Sequence, residues 1–70
     1  MDIQCRLGIN VRILRESKGW SQERLSEESG LHRTYISGIE RGIRNPTVSI
    51  VDQIAKALEV TVPSLFKEGK

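Results

Sequence analysis

The sequence has little of what secreted, metal-binding or membrane proteins contain. Its 70 residues include one cysteine, Cys5, which excludes an internal disulfide and suits a reducing cytosol. No apolar run approaches the roughly 20 residues of a membrane span, and the N-terminal MDIQCRLG lacks the hydrophobic core of a signal peptide. We therefore predict a cytoplasmic protein that has no membrane contact and needs no metal, cofactor or small-molecule ligand.

The features of an enzyme are missing as well. A chain of this length lies near the lower limit for folding alone, so we treat residues 1–70 as one domain without room for an elaborate active-site cleft. Glu27 and Glu28 are paired carboxylates, but adjacent residues of a helix point apart and cannot share a substrate. No nucleophile stands with a base and an orienting group, so we predict that the protein is not an enzyme.

Charge is present but unevenly distributed. The net charge is only +2, yet all seven arginines precede residue 46, whereas residues 47–70 are more apolar and carry three lysines and three acids. This division suits phosphate binding by the first part and packing or self-association by the second. A simple scatter of arginines over solvated faces would explain the same counts.

Apolar residues recur at helical spacing almost throughout, and strand patterns are absent. We predict an all-α fold of five short helices: 4–18, 22–29, a third from Arg33 ended by Gly42, a fourth opened by Pro46 and Thr47, and a short fifth from Thr61. Ser21 and His32 are the expected N-caps of the second and third helices. The fourth helix should bury one apolar side: Val48, Val51, Ile54, Ala55 and Leu58.

Two short helices joined by a tight glycine turn predict a helix-turn-helix at about 22–41. Ser26 must be small because the second helix lies close to the third, and Gly30 supplies the positive φ angle of the turn. Ile36 and Ile39 give the third helix its buried side. Few other folds need all of these residues together.

The stretch GWSQERLSEESGLHRTYISGIERGIRNP resembles the phage-repressor and Cro-type helix-turn-helix domain, the lambda-repressor-like fold, and the resemblance extends from Leu7 to Phe66. Within it, HRTYISGIERGIRNP resembles the controller proteins of restriction–modification systems. Ser26 replaces the usual alanine, and Glu59 stands where the family often has a C-cap glycine. The resemblance implies a buried ion pair between Arg15 and Glu40, and a base contact by Arg44.

The outward side of the third helix is small, polar and basic. At about 100° per residue, Thr34, Gly38 and Arg41 lie opposite Ile36 and Ile39, with Ser37 on the flank. A helix that enters a DNA major groove needs such a slim face. Gly38 then either lets the backbone approach the base edges or is merely tolerated.

Individual roles follow from side-chain chemistry. We expect Arg33 to make a two-pronged contact with guanine, and Thr34 and Ser37 to bond to bases or phosphates. Gln22 should donate to a phosphate at the start of the second helix. Tyr35 either reaches the DNA backbone or wedges between helices. Backbone contacts on the flank are expected from Arg41, Arg44 and Asn45.

These roles predict a sequence-specific DNA-binding transcriptional regulator, a controller protein or small prophage-type regulator that binds a palindromic operator as a homodimer. It would block RNA polymerase or activate by touching it. The expected dimer surface is Ile50, Val62, Leu65 and Phe66, with a competing patch at Ile9 and Ile13. The alternatives are an antitoxin that regulates its own operon and a protein-interaction module that has lost DNA binding.

Overall fold

Four α-helices and one 3-10 helix make up the computed structural model, which describes residues 2–68. The α-helices are α1 (Ile3–Ser17), α2 (Gln22–Ser29), α3 (Arg33–Glu40) and α4 (Val48–Leu58), and the 3-10 helix is Val62–Phe66. The all-α prediction is confirmed, but the predicted fifth helix is 3-10 rather than α. The segment is five residues long and contains Pro63, which cannot donate a backbone hydrogen bond.

Short polar side chains fix where three of the helices begin. Asp2 accepts a hydrogen bond from the Cys5 N–H at 2.8 Å, and this contact starts α1 one residue earlier than predicted. Ser21 caps α2 and Thr47 caps α4 in the same way. His32 occupies the predicted N-cap position of α3, but its side chain makes no capping hydrogen bond.

The core draws on every helix of residues 2–68. Its buried apolar residues are Leu7, Val11, Leu25, Ile36, Ile39, Val51, Ile54, Ala55, Leu58 and Leu65. The prediction for Val48 is wrong, because this side chain is 85% exposed. Val48 is the first residue of α4 and lies one turn before Val51, where the buried part of the helix begins.

The end of α4 adopts the left-handed conformation at a residue that is not glycine. Glu59 has φ +62°, the only positive φ outside glycine among residues 2–68, and its N–H bonds to the carbonyls of Ala55 and Lys56. A side chain in this region costs about 1–2 kcal/mol. The residue that departs from the family pattern, Glu59, therefore forms a strained C-cap. Its carboxylate also makes an exposed ion pair with Lys18 at 3.0 Å.

Candidate nucleic-acid interface

The turn between α2 and α3 holds the two helices in a fixed relation. Gly30 has φ +77°, as the turn requires. The Ser26 hydroxyl donates to the Leu31 carbonyl, and Ser29 Oγ accepts from the Leu31 N–H at 3.3 Å. From α4, the Gln53 amide donates to the Ser29 carbonyl. The hydroxyl that Ser26 adds to the usual alanine therefore has a partner inside the turn.

With the turn fixed, α3 presents one side to the core and the other to solvent. Ile36 and Ile39 are buried. Arg33 and Thr34 are exposed in the first turn, Arg41 is exposed just after the last, and Ser37 is half-buried. The surface that α3 leaves open is therefore the polar, basic side.

The arginines in and after α3 differ from the other arginines in whether they form ion pairs with carboxylates. Four arginines form ion pairs with carboxylates: Arg6, Arg12, Arg15 and Arg24. The other three make no ion pair within residues 2–68: Arg33, Arg41 and Arg44. All three belong to α3 or to the six residues that follow it. The arginines without ion pairs are thus concentrated in one part of the chain, where they are free to meet phosphates or base edges.

Arg44 folds back across α3 and covers Gly38. A Cβ atom added to Gly38 would lie 2.5 Å from Arg44 Cγ, and the Arg44 guanidinium carbon is 5.4 Å from the centre of the Tyr35 ring. Gly38 is buried rather than bare. In the free protein the Arg44 side chain occupies the space beside Gly38, and the approach of DNA to the helix backbone there stays a prediction.

Tyr35 packs between the core and the Arg44 side chain. It is half-buried and packs against the core, in keeping with the wedge position that the sequence left open. Its ring also forms a platform for the Arg44 guanidinium, a cation–π contact of the kind that arginine favours. Asn45, the next residue in the loop, is exposed.

A buried ion pair lies behind the interface. Arg15 Nε donates to Glu40 Oε2 at 2.7 Å and Arg15 Nη2 to Glu40 Oε1 at 3.0 Å, while Nη1 donates to the Trp20 carbonyl at 2.7 Å. The hydrogen bonds to Glu40 raise the pKa of Arg15 above its ordinary value even though burial lowers it. This pair joins α1 to the end of α3 and so fixes where α3 lies.

Gln22 belongs to the same network. Its amide donates to Glu40 Oε1 at 3.0 Å, and the side chain is half-buried. The phosphate contact that the sequence predicts for Gln22 stays a prediction beside this contact. The amide contributes to satisfying the buried carboxylate, and no buried side-chain nitrogen or oxygen of residues 2–68 lacks a hydrogen-bond partner.

Two helical glycines differ in what surrounds them, and this difference gives a prediction. A Cβ on Gly8 would collide with the carbonyl oxygens of Ile39 and Glu40, which are backbone atoms, whereas a Cβ on Gly38 meets only the Arg44 side chain. Gly8→Ala should lower the free energy of unfolding by about 1–3 kcal/mol through overpacking. Gly38→Ala should change it by less than about 1 kcal/mol, because Arg44 can move and alanine favours a helix. Urea denaturation of both variants checks this, and equal losses would contradict it.

Neither a membrane span nor a metal site is found in the described chain. None of the helices between residues 2 and 68 has the length and apolar character that crossing a membrane requires. The same residues contain no group of three or more histidine, cysteine, aspartate or glutamate side chains placed to hold a metal ion.

Comparison with known proteins identifies the family. A helix-turn-helix family model matches residues 11–65. Control protein C.SmaI of Serratia marcescens is 52% identical over 66 residues, which span 94% of this chain and 79% of that protein. Among solved structures, the restriction–modification controller protein C.AhdI from Aeromonas hydrophila has a TM-score of 0.87 and 41% identity, covering 90% of this chain and 96% of that one.

Another similar structure is that of a controller protein bound to DNA. The structure of the C.Esp1396I tetramer in complex with its natural 35 base-pair operator matches with a TM-score of 0.82 and 35% identity, covering 96% of this chain and 99% of that one. The family match and these relatives agree with the fold and with the polar, basic surface of α3. The chain therefore belongs to the helix-turn-helix family, and its relatives include the controller proteins of restriction–modification systems.

Proposed function

We propose that this protein is the controller of a restriction–modification system, a transcriptional regulator that binds a palindromic operator as a homodimer. The observation that carries the proposal is the clustering of the three arginines without ion pairs, Arg33, Arg41 and Arg44, on α3 and the loop after it. The other four arginines are neutralised within the chain. An interaction module that had lost DNA binding would not need to keep this surface uncompensated.

Recognition would proceed through α3 in the major groove. Arg33, exposed in the first turn, reaches guanine O6 and N7 with two parallel hydrogen bonds, while Thr34 and Ser37 supply short hydrogen-bonding tips. Arg41 and Asn45 lie beyond the end of α3 and contact phosphates on the flank. Arg44 crosses the α3 surface over Tyr35, and this position supports a contact of its guanidinium with the base edges as well as with the backbone.

Binding should weaken steeply with salt. One or two phosphates neutralised by each protomer, through Arg41 and Arg44, give a dimer a slope of log K against log salt between about −1.8 and −3.6. Anisotropy titrations of a labelled duplex across a range of salt concentrations measure the slope. A slope near zero would show that Arg41 and Arg44 do not meet phosphates, and the DNA-binding proposal would fail.

The dimer surface is proposed from a groove that differs in part from the predicted patch. Leu65 is wholly buried in its own core, which removes it from the surface, and Ile50 packs half-buried against that core. Val62 and Phe66 remain, and they line an apolar groove of about 220 Å³ whose rim carries Ile3 and Val48, 61% and 85% exposed. A second copy of the chain would cover these side chains.

A matched pair of substitutions tests the groove. Val48→Glu should abolish dimerisation, because it places a charge on the apolar rim of the groove. Ile13→Glu, on the competing α1 patch, should leave the dimer intact. Both side chains are exposed in the protomer, at 85% and 54%, so folding should change little. Sedimentation at tens of micromolar distinguishes the outcomes. A wild-type monomer would contradict the dimer, and loss with Ile13→Glu alone would move the interface to α1.

The switch in this scheme is the concentration of the protein itself. The dimer and operator equilibria together make occupancy rise steeply as the chain accumulates. Occupancy near a promoter would block RNA polymerase or recruit it, depending on where the operator lies. These events would take place in the cytoplasm, where the DNA is.

A further inference from the structure

The loop after α3 accepts one side-chain hydrogen bond from α1. Gln4 Nε2 donates to the Arg44 carbonyl oxygen at 3.1 Å, across 40 positions of sequence. Within residues 2–68 it is the only side-chain hydrogen bond to the backbone of residues 41–46. The loop's other backbone hydrogen bonds run to its own helix, where Ile43 and Arg44 N–H groups share the Gly38 carbonyl.

The first turn of α1 is well placed to act as a support. Asp2 caps it through Cys5, and Cys5 also packs against the loop, since a Cβ added to Gly42 would lie 3.1 Å from Cys5 Sγ. Gly42 itself has φ +77°, a conformation that costs little because glycine lacks a side chain. The loop therefore lies between the end of α3 and the start of α1, with the Gln4 amide as its polar contact on the α1 side.

We propose that Gln4 is a positioning residue for DNA recognition, which acts by holding the Arg44 carbonyl and thereby the guanidinium that lies over Tyr35. The inference rests on the proposed function, because it assumes that α3 and Arg44 meet the bases. A base edge accepts a guanidinium only in a narrow range of positions, whereas a phosphate tolerates several. Gln4 should therefore affect the preference for one sequence more than the affinity for DNA in general.

Without the Gln4 hydrogen bond the loop would be less ordered in the free protein. Arg44 would then have to become ordered when it contacts DNA, which would reduce the binding free energy. A net protein hydrogen bond contributes about 0.5–1.5 kcal/mol, which corresponds to roughly 2- to 10-fold in an equilibrium constant. That range bounds the effect of Gln4 on each half-site. Gln4 also lines the apolar groove proposed as the dimer surface, so the experiment must follow dimerisation separately.

The test uses Gln4→Met, which keeps the length of the side chain and its helix propensity but removes the donor. The probes are a duplex selected from a random library by the wild-type protein and a scrambled duplex of equal length, titrated at one salt concentration. We expect affinity for the selected duplex to fall about 2- to 10-fold per half-site, and affinity for the scrambled duplex to fall less than about 2-fold. The dimer constant from sedimentation should not change.

Double variants separate positioning from a merely structural role. In an Arg44→Ala background, Gln4→Met should have no further effect on sequence preference, because the group it positions is gone. In an Arg33→Ala background its full effect should remain, since Arg33 lies outside the loop. An effect that persists without Arg44, or equal losses on both duplexes, would overturn the positioning role.

The outcomes also distinguish this inference from the proposed function. If the wild-type protein prefers its selected duplex and Gln4→Met behaves identically, the positioning role fails while the proposed function stands. If the loss is explained by a weaker dimer, Gln4 acts through the interface and the inference is wrong. If the wild-type protein shows no preference for any duplex, both proposals fail together.

Discussion

Replacing Glu40 by alanine should lower the free energy of unfolding by about 3–5 kcal/mol, because it leaves a charged arginine buried without its partner. The Arg15 side chain is only 9% exposed, and Glu40 accepts two of its hydrogen bonds as well as one from Gln22. A domain of this length has a total stability of about 4–10 kcal/mol. Urea denaturation at neutral pH should therefore find the variant close to unfolding.

Two controls show whether burial is the cause. Glu28→Ala breaks the exposed i,i+4 pair with Arg24 and should cost no more than about 0.5 kcal/mol. The double variant Arg15→Met with Glu40→Leu removes both charges and should recover much of the loss. If Glu40→Ala and Glu28→Ala destabilise equally, the buried pair does not fix the position of α3.

Arg33→Ala should separate recognition from folding. Arg33 is exposed in the first turn of α3 and makes no ion pair within residues 2–68, so its loss should change the free energy of unfolding by no more than about 0.5 kcal/mol. A two-pronged guanine contact is worth about 1–3 kcal/mol. A symmetric dimer loses it twice, so binding to the selected duplex should weaken by roughly 2–6 kcal/mol if the halves act independently.

Arg41→Ala is the matched control. Arg41 follows α3 and is expected to contact phosphate, so its removal should weaken binding to selected and scrambled DNA more evenly. Titration of both variants against both duplexes at one salt concentration gives the comparison. Equal losses on the two duplexes for Arg33→Ala would show that this arginine only meets the backbone, and base reading would then lie with Thr34, Ser37 and Arg44.

Periodicity and turn chemistry are sufficient to predict most of the fold. The 3.6-residue spacing identifies the buried Ile36 and Ile39, and the need for a positive φ identifies Gly30 and Gly42 as the residues that end α2 and α3. These features depend on neighbours within one turn of the chain. For the same reason the helical pattern identifies Thr34 and Arg41 as exposed, although it does not show that Gly38 between them is buried.

Other features depend on side-chain partners that lie more than one helical turn away along the chain. Nothing local shows that Arg44 returns to cover Gly38, that Gln22 turns to Glu40, or that α1 needs a glycine at position 8 to pass the end of α3. Apolar spacing likewise cannot tell whether Leu65 is covered by its own core or by a partner. Burial and side-chain partners at such positions are set by tertiary packing, which overrides the helical pattern.

Sequence reading by α3, with Arg33 and Arg44, can be measured in a competition titration. The wild-type dimer bound to its selected duplex is challenged with a scrambled duplex of equal length at one salt concentration. A specific regulator should prefer the selected duplex by at least about 10³-fold. A preference near one would show that the protein binds DNA only through charge, and would contradict sequence reading by α3.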